Sequence, residues 1–155
     1  MLITTSADQT IKLWEISFGN AAKQPQPKII YDHEEEITSA SCSQQPDTYL
    51  LATVDLEGWV IVRDLTRPDD SIMKVRPELE EYTAVEFANV LLNNHHSLNA
   101  NDPDTEDLFV TLNNQLFVYN LSTRAVLANP MYNSNILKIR QERGLLLMAM
   151  DDASI

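Results

Sequence analysis

Short apolar runs and polar turns alternate along most of the chain. In residues 2–16, a run of apolar and β-branched residues is followed by a polar turn and then by a segment in which apolar and polar residues alternate. Segments with the same order end at Leu65 and Leu121. Because such alternation is typical of a strand with one buried face, each segment predicts two strands joined by a tight turn. The three turns are Asp8-Gln9, Glu57-Gly58 and Asn113-Asn114.

The three segments superpose on one another without gaps, which indicates an internal repeat. A fourth copy begins in GLLLMAMDDASI, and the chain stops at Ile155 where a further strand would start. We therefore divide the chain into four repeat units, of which the first and the last are partial. Their bounds are 1–31, 33–76, 82–128 and 136–155.

Shorter segments supply the remaining strands of these units. We expect outer strands at 28–31 and 72–75, and inner strands at 37–43, 82–88 and 136–140. The third unit also contains a polar stretch rich in Asn and Asp. We interpret this stretch, 89–107, as a surface insertion, because its composition is that of a loop.

The segment SADQTIKLWEI carries a family resemblance. It is similar to the end of a WD40 repeat, whose pattern is Ser-x-Asp-x-Thr-apolar-x-apolar-Trp-Asp, with Glu15 in place of the last Asp. The second copy keeps Asp64 but has Arg63 at the Trp position, and the third has Tyr119 and Asn120 at these two positions. The resemblance implies an all-β fold, a partial WD40-like β-propeller of about three and a half four-stranded blades that does not close into a ring.

WD40 repeats commonly join their strands through hydrogen bonds among His, Ser or Thr, Asp and Trp side chains, and the resemblance implies which residues take those places here. The first copy has Thr4, Asp8 and Trp14. The second has His33 and Thr53, with Glu57 in place of the Asp and Arg63 in place of the Trp. The third has Phe109, Asn113 and Tyr119, and no His. No copy is complete, so we expect apolar packing between blades to supply most of the stability.

The partial units at the two ends affect the functional interpretation. Propellers close with about four to eight blades, and closure covers the flanks of every blade. Fewer than four complete units would leave apolar flanks and open strand edges at both ends. We therefore expect a fragment of a longer or split protein. The alternative is a half-propeller that completes itself by homodimerisation, with the strand at 136–140 of one copy beside residues 2–5 of its partner.

An acidic composition restricts the choice of partner. The chain has 155 residues, of which 11 are basic and 23 acidic, and a formal net charge of −12. We expect no direct binding to nucleic acid or to a membrane, because both rely on clustered Lys and Arg and the basic residues here are scattered. The longest apolar run, 145–150, is far too short to span a bilayer. The single Cys42 and the lack of a secretion signal favour an intracellular location, in the cytoplasm or the nucleus.

Residues that could carry chemistry are few and poorly grouped. His95 and His96 lie near acidic residues, but adjacent side chains point apart on an extended chain, so we expect no metal site. Cys42 could be a nucleophile with His33 as its base, although its small neighbours favour an inert buried thiol. Glu86 is alone on a predicted inner strand, and three glycines provide no phosphate-binding loop. We predict no catalytic residue, no cofactor and no enzyme, with a fragment of a propeller enzyme as the less favoured alternative.

Binding through loops is the function that remains. In the family arrangement, the loops before the inner strands share one face with the turns that follow the next strands. An acidic face of this kind would attract a basic peptide, although acidic residues also suit ordinary turns. Trp59 either is a binding hot spot or packs on its own blade. The candidate binding residues are Asp32, Glu34, Glu35, Glu36, Asp55, Glu57 and Trp59.

Taken as a whole, these features predict a non-catalytic protein-interaction scaffold. Its expected partner is a protein, either one that offers a basic peptide or one that supplies the missing blades. Arg63 stands where the resemblance places a structural Trp, and we expect it to pair with Glu57 or Asp64 rather than to bind a ligand.

Overall fold

The computed structural model describes residues 1–16, 26–43, 48–79, 84–93, 106–143 and 145–152. These residues form thirteen β-strands in four antiparallel sheets, and they contain no helix and no closed barrel. The prediction of an all-β fold is therefore confirmed. Within each sheet, strands that follow one another along the chain are hydrogen-bonded neighbours.

The first two sheets comprise seven strands. The first sheet has the order β1 (Leu2–Thr5), β2 (Thr10–Trp14) and β3 (Lys28–Tyr31). The second sheet has the order β4 (Ile37–Cys42), β5 (Leu50–Asp55), β6 (Val60–Asp64) and β7 (Ser71–Val75). These positions agree with the strands expected from the repeat.

The remaining six strands form the third and fourth sheets. The third sheet has the order β8 (Ala88–Leu92), β9 (Asp107–Leu112), β10 (Gln115–Asn120) and β11 (Val126–Ala128). The fourth sheet consists of β12 (Ile136–Glu142) and β13 (Leu145–Met150). Every residue of β9 and β10 is buried, since a sheet lies against each of their two faces.

The inner strand of the third sheet lies later in the chain than the sequence predicts. It is β8, and residues 84–87, the described part of the expected strand before Ala88, precede it. The expected insertion at 89–107 is wrong at both ends, where 89–92 and Asp107 belong to strands, and its residues 94–105 lie outside the described ranges. The reason for the later start of β8 is the side chain of Asn113. Its Oδ1 accepts the N–H groups of Glu86 (2.9 Å) and Phe87 (3.3 Å), so this segment is held by a turn rather than by a strand ladder.

The repeats also differ by one residue in the turn. Five residues separate the paired residues Val54 and Val60 in the second sheet, whereas four separate Thr111 and Leu116 in the third. The gapless superposition is therefore wrong for β9. Val110, rather than Phe109, corresponds to Thr53, because each pairs with the same position on the next strand.

Apolar side chains fill the spaces between successive sheets, so the four sheets stack in chain order. The space between the first and second sheets holds Ile11, Leu13, Ile30, Ile37 and Leu51. The space between the second and third holds Val54, Val62, Met73, Val90, Leu112 and their neighbours. The space between the third and fourth holds Phe109, Leu116, Val118, Ile136 and Ile139. Alternate residues of one strand thus contact opposite neighbouring sheets, as strand geometry requires.

The first strands of the second, third and fourth sheets are themselves neighbours. Ser39 and Ser41 on β4 accept the N–H groups of Val90 (3.2 Å) and Leu92 (3.0 Å) on β8. Asn89 on β8 donates in turn to the carbonyl oxygen of Ile136 on β12 (3.4 Å). The two serines thus satisfy backbone N–H groups at the open edge of the third sheet, and Asn89 satisfies a carbonyl oxygen of the fourth.

Candidate functional site

The turns after β5, β9 and β13 lie at one edge of the stack. At each turn, an Asp or Asn that ends the strand or lies in the turn bonds through its side chain to the loop before the first strand of its own sheet. Asp55 contacts His33, Asn113 contacts Glu86 and Phe87, and Asp151 contacts Asn135. We call this the turn-bearing edge. Because three sheets repeat the same connection, the loops and turns of neighbouring sheets are held at fixed positions beside one another.

The second sheet has the most completely buried of these connections. His33 Nδ1 lies 2.7 Å from Asp55 Oδ2, and His33 Nε2 lies 2.8 Å from Thr53 Oγ1. Asp55 Oδ1 also accepts the N–H groups of Glu57 (3.0 Å) and Trp59 (2.9 Å). The expectation that Glu57 is the acidic partner of His33 is therefore wrong. Asp55 is that partner, and its burial removes it from any binding face.

The buried Arg63 is neutralised by Asp32. Only 1% of the Arg63 side chain is exposed, its guanidinium forms an ion pair with the Asp32 carboxylate, and Nη1 donates to the carbonyl oxygen of Pro68. Desolvation lowers the pKa of Arg63, and the nearby charge of Asp69 opposes this effect. The expected partners, Glu57 and Asp64, are thus wrong. Because Asp32 is paired with this buried cation, it is not free to bind a ligand.

In the first sheet, the residues that match the WD40 pattern form two separate contacts. Trp14 Nε1 donates to Thr4 Oγ1 (3.1 Å) across the sheet. Asp8 accepts the N–H group of Thr10 (3.1 Å) and the ammonium group of Lys12 (3.2 Å). Hydrogen bonds, above all from the Thr10 hydroxyl, lower the pKa of Asp8 to about 2. These residues stabilise a turn and a strand pair, and they do not form a cavity.

A groove opens at the turn-bearing edge between the second and third sheets. Its volume is about 910 Å³. The floor is apolar and consists of Leu56, Pro77, Leu79, Val85 and Leu112, with Ala84 beside them. The rim carries Glu35, Glu57, Glu78 and Arg76. The site therefore combines an apolar floor with an excess of negative charge at its mouth.

The carboxylates of the groove are only weakly compensated. Arg76 Nη1 lies 3.9 Å from Glu57 Oε2, at the outer limit of an ion pair, and both side chains are about half exposed. Among the described residues, Glu35 and Glu78 have no cationic partner. Exposed pairs of this kind contribute little to stability, so these carboxylates are available to a positively charged ligand.

Gly58 shapes the floor of the groove. Its φ of +81° is a conformation that L residues rarely adopt. A Cβ atom at this position would lie 3.1 Å from Leu112 Cδ1 and 3.6 Å from Val85 Cγ2. The turn after β5 can therefore approach the third sheet closely only because residue 58 is a glycine.

Two smaller depressions continue from the groove along the same edge. We count the groove as the first and the two depressions as the second and third. The second shares Leu79 with the groove and is lined by amide side chains, Asn113, Asn114, Gln115 and Asn133, together with Met131 and Tyr132. The third shares Tyr132 and Asn133 with the second and adds Ser134, Met148, Met150 and Asp152. Gln115 is buried, and its Oε1 has no hydrogen-bond partner in the described part of the chain. An acceptor in that state gains stability from any donor that reaches it.

The structure divides the predicted binding residues into three groups. Glu35 and Glu57 line the groove, while Glu34 and Glu36 are exposed on the same loop but do not line it. Asp32 and Asp55 are engaged internally. Trp59 is half-buried and lies under Lys74, whose Nζ is 5.2 Å from the ring centroid, so the aromatic ring packs on its own sheet.

Sequence reasoning missed half of the groove. Arg76, Glu78, Leu79 and Val85 belong to the connection between the second and third sheets, and none of them is a binding candidate from the sequence, which predicts Val85 only as part of an inner strand. A signal was present, since the segment RPELEE after β7 combines a proline with several carboxylates. Nothing local, however, indicates that this connection lies against the turn at Leu56.

The described residues form neither a nucleophile–base pair between Cys42 and His33 nor a metal site. Both ring nitrogens of His33 are engaged by Asp55 and Thr53, so neither can serve as a base for Cys42. The expectation of a buried Cys42 is wrong, because this last residue of β4 is exposed, although partial desolvation still raises the pKa of its thiol and disfavours the thiolate. No group of three or more His, Cys, Asp or Glu could hold a metal ion in the described ranges. His95 and His96 lie outside these ranges.

The chain matches no model of a known protein family, and no curated protein matches it at a significant level. Within the described ranges there is also no helix with the length and hydrophobicity that crossing a membrane requires.

Proposed function

We propose that this protein is a partial WD40-like propeller that acts as a non-catalytic protein-interaction scaffold. In this proposal, the groove between the second and third sheets binds an extended peptide segment of a partner protein. The segment places a Lys or Arg among Glu35, Glu57 and Glu78 and an adjacent apolar side chain on the floor beside Leu79. The observation that carries the proposal is this apolar floor with its rim of weakly compensated carboxylates.

Three features support the propeller arrangement. The sheets stack in chain order, so that each contacts mainly its neighbours, as in repeat proteins. The first strands of successive sheets lie side by side, as inner strands around an axis would. The Asp or Asn of each turn bonds to the preceding loop in three of the four sheets. The WD40 resemblance of residues 6–16 agrees with this arrangement.

Two features support an extended peptide as the ligand. The groove and the two smaller depressions adjoin one another through Leu79 and Tyr132, which favours a ligand that runs along the edge. The amide side chains of the second depression, with the unpartnered Gln115 Oε1, suit the N–H groups of a peptide backbone. An acidic protein also attracts basic partners at long range, which favours a fast encounter.

The test compares two charge-matched variants. One replaces the groove carboxylates (E35Q, E57Q and E78Q), and the other replaces three exposed carboxylates outside it (E15Q, E34Q and E36Q). The probe is a labelled peptide pool with a Leu-Arg-Leu centre in otherwise random sequence, measured by fluorescence anisotropy. We expect the groove variant to lose about tenfold in affinity, in line with the loss of a few exposed charge contacts, and the control to retain the wild-type affinity.

Two results would overturn this function. One is equal binding by both variants, which would place the ligand elsewhere or reduce it to nonspecific attraction. The other is equal binding of a pool with a Leu-Glu-Leu centre, which would remove the role of the carboxylates. A further variant, Leu79→Asp, tests the floor without changing any rim residue, and we expect it to abolish binding.

A further inference from the structure

The two terminal sheets each leave an apolar face uncovered in the described structure. We propose that two copies of this chain associate head to tail, so that the outer face of the fourth sheet of each copy covers the outer face of the first sheet of the other. Related by a two-fold axis, the two copies would form one ring of eight sheets. The proposal rests on the propeller arrangement proposed above, because two copies form both interfaces at once only if the stack of sheets curves around an axis.

The first of these faces lies on the outer side of β1, β2 and β3. Leu2 and Ile29 are exposed, and so is Tyr31, at 73% of its surface. Trp14, which pairs with Leu2 across the sheet, is only half-buried. Ile11 and Leu13 point the opposite way and pack on the second sheet.

The second face lies on the outer side of the fourth sheet. Leu145 and Leu147 on β13 are exposed at 65% and 50%. Leu146, Met148 and Met150 alternate with them and pack on the third sheet. A strand of six apolar residues therefore has one face covered and one face in water, which is costly unless something covers it.

The two faces are complementary because of their places in the repeat. In the second and third sheets, the positions equivalent to Leu2 are Leu51 and Leu108, and each of these packs against the preceding sheet. The outer face of the first sheet is therefore of the kind that receives a preceding sheet. Leu145 and Leu147 lie on the outer side of the fourth sheet. On the corresponding side of the third sheet, Phe109 and Val118 contact the sheet that follows.

The simplest occupant that presents both kinds of face is a second copy. If two identical faces were paired, two faces that each normally contact a preceding sheet would contact one another. No two sheets of the stack are paired in that way. Pairing unlike faces repeats the internal interfaces, and two copies contribute eight sheets, within the range of about four to eight over which propellers close. Lys138 and Arg140 pair with Ala149 and Leu147 on β12 and β13. Arg140 forms an ion pair with Glu142 (3.3 Å), so it is the charge of Lys138 that reduces, at this face, the repulsion between two copies of net charge −12.

Sedimentation equilibrium of the purified chain tests the association. We expect a discrete dimer. Ile29→Glu on the first face and Leu147→Glu on the second should each weaken dimerisation by more than about tenfold, because either places a charge in an apolar interface. The matched control is Ile72→Glu, which changes an equally exposed residue of β7 outside both faces. Circular dichroism establishes that all three variants keep the fold.

Mixing the two interface variants makes the test specific. In a mixed dimer one interface combines both altered faces, whereas the other combines two unaltered faces. The mixture should therefore associate more tightly than either variant alone. A monomeric wild-type chain, an open-ended series of polymers, an equal effect of Ile72→Glu or a mixture no tighter than its components would each overturn the proposal. The peptide site lies at the second and third sheets, away from both faces. Failure of the dimer test would therefore not decide the outcome of the peptide test.

Discussion

Single buried polar residues determine which side chains this protein can offer to a partner. Asp55 and Asp32 look like surface acids in the sequence, yet one is bonded to His33 and two backbone N–H groups and the other neutralises Arg63. Both are held because a buried donor or cation without a partner costs several kcal/mol. The acidic groove therefore contains fewer residues than the acidic sequence indicates.

Replacing Asp55 tests this role. Asp55→Ala leaves the His33 ring and the N–H groups of Glu57 and Trp59 without their acceptor, so we expect the free energy of unfolding to fall by about 3 kcal/mol. The measurement is equilibrium urea denaturation. Glu57→Ala, which removes an exposed carboxylate two residues away, should change the value by less than about 0.5 kcal/mol. Similar losses for the two variants would contradict the assignment of Asp55 to the buried position.

Glu106 gives the molecule a pH dependence of a definite sign. This buried carboxyl accepts the Ser43 hydroxyl at 2.6 Å, and burial raises its pKa above the ordinary value of 4.5. The folded state therefore retains the proton to a higher pH than the unfolded state does. The free energy of unfolding must consequently fall as the pH rises from the unfolded pKa through the folded one.

Replacing the carboxyl by an amide removes this titration. Glu106→Gln should be more stable than the wild type at neutral pH, and its free energy of unfolding should vary less between about pH 4 and pH 7. Urea denaturation at several pH values measures both effects. Glu34→Gln, at an exposed position, serves as the control. If the two variants show the same dependence on pH, Glu106 does not titrate as its burial requires.

At the scale of elements, one turn determines where a strand begins. The Asn113 side chain holds residues 84–87 by accepting from Glu86 and Phe87 and donating to the Ala84 carbonyl oxygen (3.0 Å). The strand β8 starts only after this segment. Since Val85 belongs to the groove floor, the same three bonds also position part of the candidate site.

Removing this side chain should loosen the segment without straining the turn. Asn113 has a φ of +52°, so Asn113→Gly keeps the backbone conformation and removes the side-chain bonds to residues 84–87. We expect a loss of about 1–2 kcal/mol in the free energy of unfolding and faster amide hydrogen exchange at Glu86 and Phe87. Asn113→Asp retains the acceptor and should protect both amides. Unchanged exchange in the glycine variant would show that the sheet, not the turn, holds this segment.

At the scale of the whole molecule, stability and assembly follow from stacking. In the described structure each sheet is covered by its neighbours, so the second and third sheets are buried on both faces, while the first and fourth each leave one apolar face uncovered. The proposed dimer covers these faces with the same kinds of contact that exist inside the chain. The sedimentation and mixing experiments therefore address the largest-scale property that the structure implies.

More of the fold than of the candidate site could be predicted from the sequence. Alternating apolar residues in TIKLW and VIVRD define strands locally, because the period of two is a property of consecutive residues. The place of Asn113 in a turn was also readable. Its hold on residues 84–87, and the later start of β8, were not, because hydrogen bonds across 26 or 27 residues leave no local pattern.

The strands, the repeat and the excess of negative charge can be read from the chain alone, since each depends on residue type and spacing. The inward contacts of Asp32 and Asp55, the grouping of Glu35, Glu57 and Glu78 around Leu79 and Val85, and the open faces follow only from the three-dimensional packing. Packing brings together residues from different sheets, so a charged side chain becomes a site or a buried partner according to what lies beside it.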